Sequence, residues 1–137
     1  MNIHKCIPDF PSSDYSVYYG GPVHTNQLFY IHTLGQQIEN SLKINESLWW
    51  CGDFDQIKRL VRKNLLDRTK IKFFIGSSGW ESKQLLREMN QHSWIVASGN
   101  TETIMNHNPE LMWKKMLQGL GSNFSVMANF PENPQMN

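Results

Sequence analysis

Three short apolar runs each carry two adjacent aromatic residues: Tyr18-Tyr19, Trp49-Trp50 and Phe73-Phe74. Successive side chains on a strand point to opposite faces, so each pair puts a large ring on both sides of a sheet. A sheet with one solvated face would alternate apolar and polar residues instead. The pairs predict a sheet covered on both faces, by helices or by curling onto itself, with Trp49 and Trp50 both mostly buried.

The chain around the third pair, residues 71–89 (IKFFIGSSGWESKQLLREM), reads as strand, small-residue corner and helix. Ile71, Phe73, Phe74 and Ile75 suit a strand that Gly76 ends. Ser77, Ser78 and Gly79 supply small side chains, hydroxyl acceptors and a position free to take positive φ. From about Ser82 a helix would gather Trp80, Leu85, Leu86 and Met89 in one apolar arc, with Glu81, Lys83, Arg87 and Glu88 turned away.

The remaining elements fall in order. Residues 1–6 are too short for an element of their own, and Ile7-Pro8-Asp9-Phe10-Pro11 is a proline-punctuated connector. Val17-Tyr18-Tyr19 is a strand stopped by Gly20-Gly21-Pro22, and residues 28–32 form the next, with Thr25-Asn26 as turn chemistry between them. Residues 41–44 and 48–51 read as a hairpin-like pair around Asn45-Glu46-Ser47, without the Asn-Gly turn that would fix it. Asp53 is a good N-cap for a helix to about Asn64, lined on its core side by Phe54, Ile57, Leu60, Val61 and Leu65. Residues 93–97 (SWIVA) are a further strand. Asn108-Pro109 starts the last strong helix, where Met112, Trp113, Met116, Leu117 and Leu120 share one face opposite Lys114, Lys115 and Gln118, before Gly121 closes it. Residues 124–130 fit a short helix or a strand, followed by a polar tail.

Composition limits the function classes. The 137 residues default to one domain, and 18% charged residues with a net charge of +1 describe an ordinary globular chain rather than a polyanion-coating one. Cys6 and Cys51 form no CxxC, so neither a disulfide framework nor a thiolate zinc site is indicated, and a reducing cytoplasm is the expected home. No apolar run approaches the ~18 residues of a membrane span. His4, His24, His32, His92 and His107 show no HxxxH or HExxH spacing, so no metal site is expected. No cofactor motif is present, and no catalytic constellation, so the chain is not expected to be an enzyme.

Two candidate sites remain. Gly76-Ser77-Ser78-Gly79 resembles a nucleophile elbow in layout, but its glycines bracket two residues rather than three, and no sequence signal pairs a serine with His92, His32 or an acid. Corner geometry explains it; the alternative is a corner at Ser77, Ser78, Gly79 and Trp80 that holds an anion or small ligand through backbone N–H groups. The second candidate is the run of bases Lys58, Arg59, Arg62, Lys63, Arg68, Lys70 and Lys72, of which Lys58, Arg59, Arg62 and Lys63 would form a nucleic-acid patch. The bland account is a solvated face whose cations sit at the favourable end of the helix dipole.

In sequence order, Tyr18-Tyr19-Gly20-Gly21-Pro22-Val23, Ile31-His32, Gly52-Asp53-Phe54, Phe74-Ile75-Gly76-Ser77-Ser78-Gly79-Trp80, Gln84-Leu85, Ser93-Trp94, Leu111-Met112-Trp113, Leu120-Gly121 and Ala128-Asn129-Phe130-Pro131 span almost the whole chain. This ordered set resembles the AlgH/YqgE family, and the WWCGDF and ANFP segments resemble its Bacteroidetes-type branch. The resemblance implies an α+β fold: a mixed sheet covered on both faces and curled toward a pseudo-barrel, with about three flanking helices. It also implies a non-enzymatic regulatory or binding protein, since members are labelled transcriptional regulators without a defined activity; the alternative is a small-ligand or anion sensor, or an enzyme, using the Ser77 to Trp80 corner. Family members carry strands ahead of the IPDFP connector, with a Gly-rich stretch and an Asn-Arg/Lys-Pro turn, to which nothing here corresponds. The expectation is therefore a single domain over 1–137 lacking its first strands, as a fragment, a misassigned start or a degenerate copy, with self-association through unpaired strand edges.

Overall fold

The structure is a computed structural model that describes residues 1–106, 109–121 and 124. The expected N-cap at Asn108, the apolar segment 124–130 beyond Phe124, the ANFP motif and the polar tail lie outside the described residues. The chain divides into two compact units, Met1–Leu85 and Leu86–Asn137.

The first unit is built on a mixed sheet of five strands: β1 (Val17–Tyr19), β2 (Val23–His32), β3 (Leu42–Lys43), β4 (Trp49–Trp50) and β5 (Ile71–Ser77), in the order β1-β5-β2-β4-β3. β1 runs parallel to β5, and the other pairings are antiparallel. The fold is α+β, as expected. The sheet is open rather than closed into a barrel, with β1 and β3 as its edges.

Register assigns the aromatic pairs to faces. Val17, Phe73 and Tyr30 lie side by side on one face, while Tyr18, Phe74 and Phe29 form the matching row on the other. On the first face Phe73 is completely buried, ringed by Phe10, Tyr15 and Tyr30 at centroid distances of 5.7, 5.8 and 5.8 Å. Phe10 and Tyr30 each reach Phe54, both at 5.9 Å, which brings in the helix α1 (Phe54–Arg62). Ile57 and Val61, one helical turn apart, complete this side of the core. Tyr15 and Tyr30 can sit there because their hydroxyls donate to the carbonyls of Leu66 (3.0 Å) and Gly52 (2.7 Å). Burial raises the phenol pKa of both.

Coverage of the second face is partial. Tyr18, Phe74 and Trp50 on that face keep a minor part of their surface exposed, and Trp49, opposite His32 on the core face, does likewise, so both tryptophans are mostly buried, as expected. On the first face, Tyr19 is 70% exposed because it ends an edge strand.

Several local expectations are corrected. Residues 1–10 contribute to the core: Ile3, in a 3-10 turn (Ile3–Lys5) capped by Asn2, is fully buried, and Phe10 of the connector is 3% exposed. Backbone pairing holds this segment, Ile3 N–H donating to Tyr15 O at 3.0 Å and Val17 N–H to Met1 O at 2.6 Å. Thr25-Asn26 is not a turn between strands. β2 continues through it, with a register shift between Val23 and Leu28 and His24 at φ 53° absorbing the irregularity.

The hairpin is present. Ser47 N–H donates to Asn45 Oδ1 (2.9 Å), and Ile44 and Asn45 N–H both donate to Leu48 O, so an Asx turn replaces the missing Asn-Gly. α1 starts where expected, Asp53 Oδ1 accepting from Gln56 N–H at 2.9 Å. It ends earlier, at Arg62. Asn64 adopts φ 53°, its N–H donates to Val61 O, and Leu65 N–H donates to Leu60 O, which together make a Schellman stop. Leu65 is thereby turned out, 68% exposed, and Leu66 takes the core position instead.

After β5, α2 (Gln84–Asn90) starts later than expected, Gln84 Oε1 accepting from Glu81 N–H at 2.9 Å. Its apolar residues are not buried: Leu85, Leu86 and Met89 are exposed, as is Trp80 before it. The second unit contains α3 (Thr101–Asn106) and α4 (Pro109–Gly119), giving four helices among the described residues. In α4, Leu117 is buried and Met112 and Met116 half-buried, whereas Trp113 is exposed. Residues 93–97 are not a strand. A five-residue apolar run takes strand geometry from a ladder partner, and none of the described pairings includes it. No helix among the described residues is long and apolar enough to cross a membrane.

Phe73→Ala is expected to lower unfolding free energy by about 3–5 kcal/mol, the range for emptying a buried aromatic site. Leu65→Ala should change it by less than about 0.5 kcal/mol. Urea unfolding of both variants checks the assignment, and equal losses would contradict it.

Candidate functional site

Two glycine-containing segments meet at the end of the sheet where β1 and β5 stop. Gly20 N–H donates to Ile75 O at 2.9 Å, continuing the parallel ladder past the last residue of β1. Gly76 has φ 73° and Gly21 φ 151°, both in the region glycine alone enters freely. A Cβ on Gly76 would collide with Gly21 O, and one on Gly21 with the backbone of Ser77 and with Ser78 Oγ. The two backbones are in direct contact, so side chains at either position are excluded. The positive φ of the corner thus falls at Gly76, not Gly79, whose Cβ position is open space.

This clasp forms one wall of a groove of about 380 Å³ lined by Tyr19, Gly20, Ile31, Trp50, Phe74, Gly76, Ser77 and Ser78. Trp50 stacks on Phe29 (5.5 Å, 28° between planes), and Phe74 is tilted against Tyr18 (6.1 Å). Trp50 and Phe74 are therefore each braced by a second ring. At the other end, Ser77 is half-buried and Ser78 exposed, with Ser78 Oγ donating to Gly20 O over a long 3.4 Å. Among the described residues, that hydroxyl bonds to a backbone carbonyl rather than to a histidine or carboxylate.

Of the sequence-predicted ligand corner, Ser77 and Ser78 line the groove, whereas Gly79 and Trp80 are exposed and do not. Trp80 to Lys83 also separate the corner from the first residue of α2, so the turn does not open directly into a helix N-terminus. Sequence reasoning missed Trp50, Phe74, Ile31 and Tyr19 as groove residues. The aromatic doublets place Phe74 and Trp50 on the face away from the core, but no local signal says which residues of that face meet in one groove.

Among the described histidines, His32 is the most buried. Its Nδ1 accepts from Leu34 N–H (3.3 Å), which leaves the proton on Nε2 to face Cys51 O (2.9 Å) and Ser41 Oγ (3.0 Å). Both ring nitrogens are thus occupied, and the ring cannot act as a base toward Ser41. Its role is to fix the backbone just after Trp50, where Cys51 takes φ 49°. Burial holds the imidazole pKa below its usual 6.5, with the Cys51 carbonyl opposing in part, and burial raises the Cys51 thiol.

The candidate basic patch lies on α1. Lys58 Nζ pairs with Asp55 Oδ1 at 2.7 Å and sits 5.4 Å from the Phe54 ring, so much of its charge is engaged locally. That bond, more than any other interaction, holds the Asp55 carboxyl below its usual value. Arg59, Arg62 and Lys63 are exposed, and Arg59 and Lys63 border a depression of about 310 Å³ with Gln37, Ile38, Gln56, Leu60 and Leu65. Lys72, the last base of the run, is 6% exposed with Nζ 4.8 Å from the Tyr18 ring, so it is not part of that surface.

An open mixed sheet that clasps two glycine segments against an aromatic groove defines the protein as an α+β domain. The solution structure of the AlgH protein from Pseudomonas aeruginosa superposes with a TM-score of 0.73 at 21% identity, covering 97% of this chain and 73% of that one. The crystal structure of protein DIP2367 from Corynebacterium diphtheriae gives 0.70 at 18% identity, over 95% and 70% of the two chains. The AlgH-like family model, DUF179, matches residues 1–125. A UPF0301 protein of Cytophaga hutchinsonii is 33% identical over all of this chain and 76% of its own length. One from Bacteroides fragilis is 40% identical over 97% of this chain and 65% of its own length. The chain belongs to the AlgH-like, UPF0301 family, and spans between about three-fifths and three-quarters of the curated relatives it matches.

Two measurements test the site as built. With the folded pKa of His32 below the unfolded one, stability is full above about pH 6.5 and falls as pH drops through the folded value, by at most ~1.4 kcal/mol per pH unit. Urea midpoints between pH 7 and 5 should decline, and His32→Gln should flatten the decline; an unchanged slope would refute the assignment. Gly76→Ala, placed at positive φ against Gly21 O, should cost more than the ~1 kcal/mol of an ordinary strained glycine site, whereas Gly79→Ala should be near neutral.

Proposed function

We propose that this chain is a non-enzymatic cytoplasmic binding protein of regulatory type, and that it takes a small ligand in the groove beside Ser77 and Ser78. The observation that carries this is the convergence of braced aromatic walls and serine hydroxyls on one cavity of about 380 Å³. Small-molecule sites are typically ~300–1,000 Å³, mostly apolar, with a few polar groups to orient the ligand. A hydroxyl bonded to a backbone carbonyl, and a histidine whose nitrogens are both engaged, favour binding over group transfer.

A second reading rests on Arg59, Arg62 and Lys63, three exposed cations near the C-terminal end of α1 that would suit phosphate contacts. It supports the transcriptional form of the regulatory role. The near-neutral net charge of +1 and the local engagement of Lys58 weigh against an extended nucleic-acid surface.

A thermal-shift screen of a metabolite set separates the two. A groove ligand at a hundredfold excess over its Kd should stabilise the fold by about 2.7 kcal/mol, and Ser78→Val should remove the shift. DNA binding through the three cations should instead show log K falling with log salt at a slope near −2.7, lost in the Arg59→Gln, Arg62→Gln, Lys63→Gln variant. Absence of any groove-dependent shift together with that salt slope would replace the first reading by the second.

A further inference from the structure

The groove reading leaves the chemistry of the ligand open, and its lining narrows that chemistry. The long walls are Trp50 and Phe74, and Ile31 lies between them in the pairing register: Ile31 is opposite Trp50, while Phe74 opposes Phe29, two residues before Ile31. Because Phe29 and Tyr18 back the two rings, the walls are fixed surfaces rather than side chains free to close around any shape. Fixed aromatic surfaces are best covered by a flat ring, in offset or edge contact, at the least cost in ordering.

Polar groups are confined to one end. Ser77 and Ser78 stand at the clasp, and the Ser78 hydroxyl makes only a long 3.4 Å bond to Gly20 O that a better partner can displace. A hydroxyl offers both a donor and an acceptor, so it pairs equally well with an amide, a ring nitrogen or a carbonyl.

Charge is missing from the lining. None of the residues bordering the groove carries a formal charge. The lysine on this face of the described sheet, Lys72, is buried with its ammonium over the Tyr18 ring, and it does not border the groove. Burying a carboxylate or phosphate against aromatic walls without a counter-ion would cost far more than burying a neutral polar edge.

We infer that the groove binds an uncharged planar aromatic or heteroaromatic molecule of one or two fused rings, whose hydrogen-bonding edge is read by Ser77 and Ser78 while its faces lie against Trp50 and Phe74. This rests on the proposal that the groove is a ligand site. It extends that proposal to a substrate class and assigns Trp50 as the principal contact.

A matched series of two-ring probes tests it: 2-quinolone, with a neutral lactam edge; naphthalene, with no polar edge; and 2-naphthoate, with an anionic one. The readout is the indole N–H shift of Trp50 in the 15N-labelled 137-residue chain. The expected result is saturable binding with 2-quinolone at least about fivefold tighter than either analogue, the effect of one neutral hydrogen bond. Ser78→Ala, an exposed substitution that leaves the core untouched, should bring 2-quinolone down to the naphthalene level. Trp50→Leu, followed by ligand-observed saturation transfer, should abolish binding of all the probes. Tightest binding by 2-naphthoate, or equal binding of the series, would overturn the inferred class while leaving the groove as a ligand site. No Trp50 response to any probe would overturn both.

Discussion

Complete burial of one aromatic ring, Phe73, organises the first unit. It stands on the central strand pair β2/β5, and the residues that enclose it come from far apart in the chain: Phe10 from the connector, Tyr15 ahead of β1 and Tyr30 from β2. Phe54 joins through Phe10 and Tyr30 and brings α1 onto the same face. Aromatic rings contribute large buried areas with few rotatable bonds, so a cluster of this kind lets a modest domain define one packing arrangement. The cost is polar. Two tyrosines must find acceptors, and the carbonyls of Leu66 and Gly52 supply them from the two ends of α1's flanking segments.

Once Phe73 faces the core, the period of the strand sends Lys72 and Phe74 to the opposite face. The groove is a consequence of that alternation. Phe74 and Trp50 line it because Phe73 and the His32 side of the sheet are committed to the interior. The glycine clasp then limits how far the two strands can extend side by side, since Gly21 and Gly76 bring backbone against backbone with no room for a Cβ. Gly20-Gly21 and Gly76 lie far apart in the sequence but are one structural feature.

The same geometry sorts the ionisable groups. The seven bases of residues 58–72 do not form one surface. Lys58 is tied to Asp55 within a turn of helix, Lys72 is inside the sheet, and Arg59, Arg62 and Lys63 remain outward. His32 is likewise spent on architecture. Holding Cys51 O and accepting from Leu34 N–H, it secures the chain that follows Trp50, so a groove wall depends on a neutral imidazole on the other side of the sheet.

By itself, the sequence determined the strand at Phe73-Phe74, the Asp53 N-cap, the polar turn at Asn45 to Ser47 and membership in an α+β family. Each of these is set by residues within a few positions of one another, or by an ordered set of motifs. Tertiary structure decided what local pattern cannot encode. Ile3 and Phe10 became core because distant segments, Tyr15 and Val17, pair with or pack against them, and 93–97 did not become a strand because a strand is defined by its partner. Leu65 left the apolar face because Asn64 took a left-handed conformation one residue earlier. Ser77 and Ser78 could be picked out from their corner, but Trp50, Ile31 and Tyr19 could not, since a groove is a juxtaposition of strands, and strand order is fixed by non-local hydrogen bonding that no single stretch of chain contains.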